Sequence, residues 1–186
     1  MNSLGPKKAK AKLLIKRFRS KTMVLKAADG TCLLGEFDKS DCSQNAIVML
    51  LHGWEGSTKS SYLVTTANTL LNHGFDVLRL NFRDHGNTHH MNRGIFNSTM
   101  TDEVSDVIKQ FLQKFEYKKR FIAGFSLGSN FALRIATDHG NEIKPSAVAA
   151  ISPLIDPINA MIGIRLAPSM YRNYFFANGR LPWKQN

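Results

Sequence analysis

The feature that most constrains this 186-residue chain is a run of short apolar segments set apart by stretches of helical length. Residues 46–51 are apolar without a break and end at His52 and Gly53, a pattern that suits a strand covered on both faces. Residues 75–82, led by Val77, Leu78 and Leu80, predict a second such strand, residues 120–125 a third and residues 147–151 a shorter fourth. Between them, residues 60–72 predict a helix closed by Gly74, and residues 127–137 predict another. Thr101 is expected to cap a further helix, with Asp102 and Glu103 in its first turn and Val104, Val107, Ile108, Phe111, Leu112 and Phe115 as its apolar stripe. Alternating units of this length build a mostly parallel sheet with helices on both faces, and ligands bind at the carboxyl ends of its strands. Ahead of this array, residues 22–25 and 31–37 predict a hairpin across Ala28, Asp29 and Gly30.

The formal charge of +11 suggests nucleic acid until it is located along the chain. Residues 1–26 hold nine Lys or Arg and no acid, which leaves sixteen against fourteen, or +2, for the rest. A basic arm over residues 1–21 on a nearly neutral body reads first as a solvated run. Its functional alternatives are contact with RNA, an anionic membrane or an acidic partner; nucleic acid is disfavoured, and a weak peripheral membrane contact through the arm is kept as an expectation. Leu13, Leu14 and Ile15 are hemmed in by Lys12, Lys16 and Arg17, so the arm lacks the apolar core of a secretory signal. Cys32 and Cys42 are too few for a disulfide framework and read as reduced thiols of a cytoplasmic protein, Cys32 as a small core residue.

Chemistry concentrates at Gly124-Phe125-Ser126-Leu127-Gly128, a Gly-x-Ser-x-Gly run between an expected strand and an expected helix. A sharp strand-to-helix turn there holds a serine hydroxyl above the sheet, and the following helix directs N–H groups at a developing oxyanion. The bland alternative is a Gly-Ser turn required only for packing. His52-Gly53-Trp54-Glu55-Gly56-Ser57 follows the first buried strand, where a second oxyanion donor belongs; alternatively, His52 and Gly53 merely end a strand. Asp84, His85, His89 and His90 form a dense group that matches no common zinc spacing and is read as pocket lining, so no metal and no cofactor are expected.

Taken together, residues 51–57 and residues 124–130 (Gly-Phe-Ser-Leu-Gly-Ser-Asn) resemble the α/β-hydrolase superfamily, and most nearly its YheT-like branch of predicted esterases, over about residues 22–175. The resemblance implies the α/β-hydrolase fold, a Ser-His-acid triad, and attack on a carboxylic ester or related acyl bond of a small molecule through an acyl-enzyme. It implies Ser126 as nucleophile and the amides of Trp54 and Leu127 as oxyanion hole. Where the branch often has a glycine-rich turn after the fourth strand, this chain has Arg83-Asp84-His85-Gly86-Asn87.

The triad's other members are not found. After Ser126 the one histidine is His139, which a twelve-residue helix carries about 18 Å from the hydroxyl. Asp156 reads either as an acid or as a turn residue beside Pro157. The resemblance implies two further strands bearing the acid and the histidine, so the expectation is a chain lacking the last strands and helices, with residues 157–186 starting a lid or tail. The apolar strand 147–151 then lies at a sheet edge and needs a cover. One of His85, His89 or His90 replacing the missing base is a further expectation. The rival reading is a non-catalytic, hydrolase-like binding or remnant protein.

Overall fold

The computed structural model describes residues 6–170 together with residues 172–173. These fall into two compact units, one running to Pro153 and the other starting at Leu154.

The first unit is built on a six-stranded sheet: β1 (Lys21–Lys26), β2 (Cys32–Asp38), β3 (Ala46–Leu51), β4 (Asp76–Leu80), β5 (Lys119–Phe125) and β6 (Ala147–Ile151). Its spatial order is β1-β2-β4-β3-β5-β6. The hairpin strands β1 and β2 run antiparallel to each other, and β2 runs antiparallel to β4; β4, β3, β5 and β6 are mutually parallel. Every residue of β3 and β4 is buried; β3 is apolar throughout, whereas β4 carries Asp76 and Arg79, each held by hydrogen bonds or an ion pair. Gly30, at φ +90°, supplies the left-handed residue that lets the hairpin close.

Among the described residues, five helices belong to this unit: α1 (Pro6–Arg17), α2 (Ser61–Asn72), α3 (Thr101–Lys114), α4 (Leu127–Asp138) and the single turn α5 (Gly140–Ile143). Helix α3 lays Val104, Val107, Ile108, Phe111 and Leu112 into the core, and Phe111 meets Phe37 of β2 edge-on at 5.2 Å. Thr101 is the first helical residue and not the cap; Met100 holds that position, and the Thr101 hydroxyl accepts a hydrogen bond from Arg134 of α4 instead. On the other face, Leu63 and Ala67 of α2 pack with Val48, Leu50 and Val77, each such burial stabilising by roughly 1.5–3 kcal/mol for the larger side chains.

The basic segment is helical. Ala11 is buried, and Leu14, Ile15 and Phe18 are partly so, a spacing of three and four residues that turns one face of α1 onto α2. Phe18 also lies under the buried guanidinium of Arg79, 5.0 Å from the ring centre. Arg79 pairs with Asp38 at 2.8 Å. It also donates to Ser20 Oγ and to the Thr58 carbonyl, so one cation ties β4 to the N-terminal segment and to the loop after β3.

Three further expectations, the full burial of strands 120–125 and 147–151 and the core position of Cys32, are corrected. Strand β5 is only half-buried, because α2 covers the β3–β4 region and its reach ends at Phe121, Ala123 and Phe125. Their partners in β6, Ala147, Ala149 and Ile151, are exposed at the sheet edge. Cys32 is intermediate in exposure and not a core residue, since the strand's alternation gives the buried positions to Leu33 and its even-spaced neighbours.

The second unit contains α6 (Pro157–Leu166), capped by Asp156, whose carboxylate accepts from the N–H groups of Ile158 and Asn159. Tyr171, Tyr174, Phe175, Phe176 and Trp183, expected to form a covering tail, lie outside the described residues.

Candidate active site

Ser126 stands between β5 and α4 with φ +53° and ψ −114°, and it is exposed. Only glycine enters that region of backbone space without strain, so an L-residue held there costs about 1–3 kcal/mol that the surroundings must impose. Those surroundings are glycine backbones at close range. A Cβ on Gly124 would lie 2.1 Å from the Gly128 carbonyl oxygen, and one on Gly128 would lie 2.4 Å from the carbonyl oxygens of both Leu51 and His52. Neither position admits any side chain. The two glycines therefore let α4 start directly against β5 and β3, and the chain has nowhere to go between them but through a sharp bend. The Ser126 N–H donates to the Ile151 carbonyl at 2.9 Å, pinning the bend to β6, while its hydroxyl makes no capping bond to the helix.

Leu127 opens α4, so its N–H is one of the helix's unpaired N-terminal donors by position. Across from the bend runs the loop after β3. A Cβ on Gly53 would meet Ser126 Cβ at 3.3 Å and the Phe125 carbonyl oxygen at 3.2 Å, which sets the Gly53 backbone directly beside the serine. Gly53 to Gly56 form a turn closed by the Gly56 N–H on the Gly53 carbonyl, with Glu55 at φ +56° and Trp54 37% exposed at its tip. Thus the structure brings Ser126, Leu127 and the turn holding Trp54 to one end of β3 and β5.

Four groups hold this loop: His52, read from the sequence only as a strand end, and Tyr62, Asn81 and Arg79, which sequence reasoning passed over. His52 is fully buried; its Nε2 accepts the Phe82 N–H at 3.1 Å, so the proton sits on Nδ1, which donates to the Gly53 carbonyl at 2.7 Å. Burial, reinforced by the neighbouring His85 and opposed by the bond to Gly53, pulls the pKa of His52 down to about 3. It is a neutral latch between the ends of β3 and β4, which goes beyond simply ending a strand. The Gly53 N–H donates to the Tyr62 hydroxyl at 3.0 Å, and Thr58 is held at both ends, its N–H by Asn81 Oδ1 and its carbonyl by Arg79.

The loop after β4 buttresses the same region. Arg83 pairs with Glu103 at 2.6 Å and donates to Thr31; burial raises the Glu103 pKa, and Arg83 opposes that rise. Asp84 accepts the Phe96 N–H. His85 is buried with its ring centre 5.0 Å from that of His52 and 5.0 Å from that of Phe96; its Nδ1 bonds the Arg83 carbonyl. His89 and His90 are exposed, so the four residues are dispersed into separate roles. Among the described residues, no group of three or more His, Cys, Asp or Glu is placed to hold a metal ion.

His139 caps the far end of α4, where its Nε2 lies 3.0 Å from Asp102 Oδ1. Asp156 is the α6 cap, which accounts for its carboxylate.

Residues 46–184 match the family described as the alpha/beta hydrolase fold. A probable alcohol acetyltransferase of Cyberlindnera fabianii is 31% identical over 112 residues, which is 59% of this chain and 28% of that protein. Among solved structures, the esterase Pf2001 of Pyrococcus furiosus superposes with a TM-score of 0.68 at 22% identity, covering 88% of this chain and 60% of its own. A serine hydrolase without lid from Xanthomonas campestris gives 0.59 at 23% identity, covering 69% and 59%. The chain thus spans less than two thirds of each of these proteins. Among the described residues, no helix is long and apolar enough to cross a membrane. With its family match covering about three quarters of its length, its mostly parallel sheet and its glycine-flanked serine bend, the chain belongs to the α/β-hydrolase fold family.

Proposed function

We propose that this chain carries the nucleophile and oxyanion hole of a serine hydrolase acting on a carboxylic ester or related acyl bond of a small molecule. The observation that carries the reading is the exposed serine in a left-handed conformation with the Gly53 backbone packed against its Cβ. In the reaction, Ser126 Oγ attacks the acyl carbon and gives up its proton to a base. The carbonyl oxygen, now an anion, accepts from the amides of Leu127 and Trp54. Collapse expels the alkoxide, which leaves as the alcohol after taking up a proton; water then attacks the acyl-serine, releasing the acid and restoring the hydroxyl. No residue is assigned as the base or its acid partner, and loss of a triad member lowers rates by orders of magnitude, about 10⁴ or more. Two unpaired thiols support a reducing, cytoplasmic setting.

The same acyl-serine passes its acyl group to an alcohol where one outcompetes water. The relative named as an acetyltransferase favours that second acceptor. Labelling of the full chain with a fluorophosphonate probe tests the nucleophile: modification at Ser126, abolished in Ser126→Ala, is expected. A chain that stays unlabelled while correctly folded would instead be a hydrolase-like binding protein.

A further inference from the structure

The basic helix α1 has two unlike faces, and only one is used by the fold. Ala11, Leu14, Ile15 and Phe18 go to α2 and the sheet, so the helix is fixed to the body and its remaining face is presented as a rigid surface. That face carries Lys8, Lys10, Lys12, Lys16 and Arg17, all exposed, with Arg19 just beyond. Among the described residues, none of these cations stands within 4.0 Å of a carboxylate in an ion pair. In their midst stands Leu13, 63% exposed. Helical spacing puts Lys10, Lys16 and Arg17 three or four residues from it, so a protruding apolar side chain is ringed by three cations.

From this arrangement we infer that α1 docks the protein on an anionic phospholipid surface, its cations on the headgroups and Leu13 reaching the acyl boundary. Charge complementarity selects an anionic partner, and the ringed leucine selects among anionic partners. A phosphate backbone offers Leu13 nothing apolar. The exposed face of α1 has no aromatic residue to stack on bases and no Asn or Gln to read their edges. A buried side chain ties the end of α1 to the loop beside Ser126. Arg79 holds Ser20, three residues beyond α1, and with the same guanidinium holds the carbonyl of Thr58, next to exposed Lys59. The inference itself is about binding and stands whether or not Ser126 is a nucleophile.

The test is co-sedimentation of the full chain with phosphatidylcholine vesicles, with and without phosphatidylserine, at low and high salt. Binding to the phosphatidylserine vesicles only, suppressed by salt, is expected. The triple variant Lys10→Gln, Lys16→Gln, Arg17→Gln should weaken it about a hundredfold, at roughly fivefold per charge. Leu13→Ser, which leaves the charge unchanged, should weaken it several-fold again. All four side chains are exposed, so unchanged circular dichroism and unfolding midpoints are expected to confirm intact protein. Equal sedimentation with both vesicles, or none with either, overturns the inference. So does an RNA oligonucleotide that binds the chain with the same affinity before and after Leu13→Ser and displaces it from the vesicles, since that marks a nucleic-acid surface.

Discussion

Replacing Ser126 by glycine should make the protein more stable, whereas replacing it by alanine should not. The serine is held at φ +53° and ψ −114°, where a Cβ is strained by about 1–3 kcal/mol and glycine is not. Because the side chain is exposed and makes no capping bond to α4, its removal forfeits little else. Against the strain relief stands the greater freedom of glycine in the unfolded chain, about 0.5–1 kcal/mol. The net effect for Ser126→Gly is therefore a gain of about 0–2.5 kcal/mol, centred on about 1 kcal/mol, which at that centre is roughly 2–4 °C in Tm for a domain of this size. Ser126→Ala keeps the Cβ and the strain, and should stay within about 0.5 kcal/mol of the parent. Urea unfolding of the three proteins, compared by midpoint at a common slope, reads the difference directly. If glycine is no more stable than alanine at this position, then the bend is not strained, and the claim that the fold invests stability in presenting this hydroxyl is wrong.

Gly128→Ala should cost more than about 3 kcal/mol or leave no folded protein, because its Cβ would lie 2.4 Å from two backbone carbonyl oxygens that cannot move aside. Gly140→Ala, with nothing within 4 Å, is the control and should be neutral by the same denaturation assay. His52 makes stability depend on pH. Its folded pKa is depressed from 6.5 to about 3, so below 6.5 the unfolded chain takes up a proton that the folded chain refuses. Its contribution is complete above 6.5 and is lost at about 1.4 kcal/mol per pH unit as pH falls towards 3, a slope that His52→Gln should remove from the profile of unfolding free energy against pH. Asp38→Ala strands the buried Arg79 guanidinium and should destabilise by about 3–5 kcal/mol, measured as a lower urea midpoint.

Much of the fold could be read from the residues because a strand covered on both faces is mostly apolar and keeps a polar residue only where it is paired, as Asp76 and Arg79 of β4 are. The expected strand at 46–51 matches β3 in extent and burial, that at 147–151 matches β6 in extent but is not covered, and the glycines at 30 and 74 mark left-handed positions, at φ +90° and +83°. Helix α1 was hidden for the opposite reason. Its apolar quartet of Ala11, Leu14, Ile15 and Phe18 was present at helical spacing, but nine cations in residues 1–26 dominate any averaged reading. The candidate site was half legible. The Gly-x-Ser-x-Gly spacing pointed to the bend and the His52–Ser57 run to the facing loop, whereas Tyr62, Arg79 and Asn81, which hold that loop with His52, have no motif of their own.

By itself, then, the sequence determined the order of strands and helices and the position of the serine between them, since apolar periodicity and glycine spacing are local properties of a chain. Only the tertiary structure decided that Ser126 is exposed, that Gly53 lies against it, and that His52 stays neutral as a latch. Those outcomes depend on strands far apart in sequence bringing their carboxyl ends together at one end of the sheet, where the distance between backbones and the exclusion of water, neither of them written in any single segment, set the conformation and the charge.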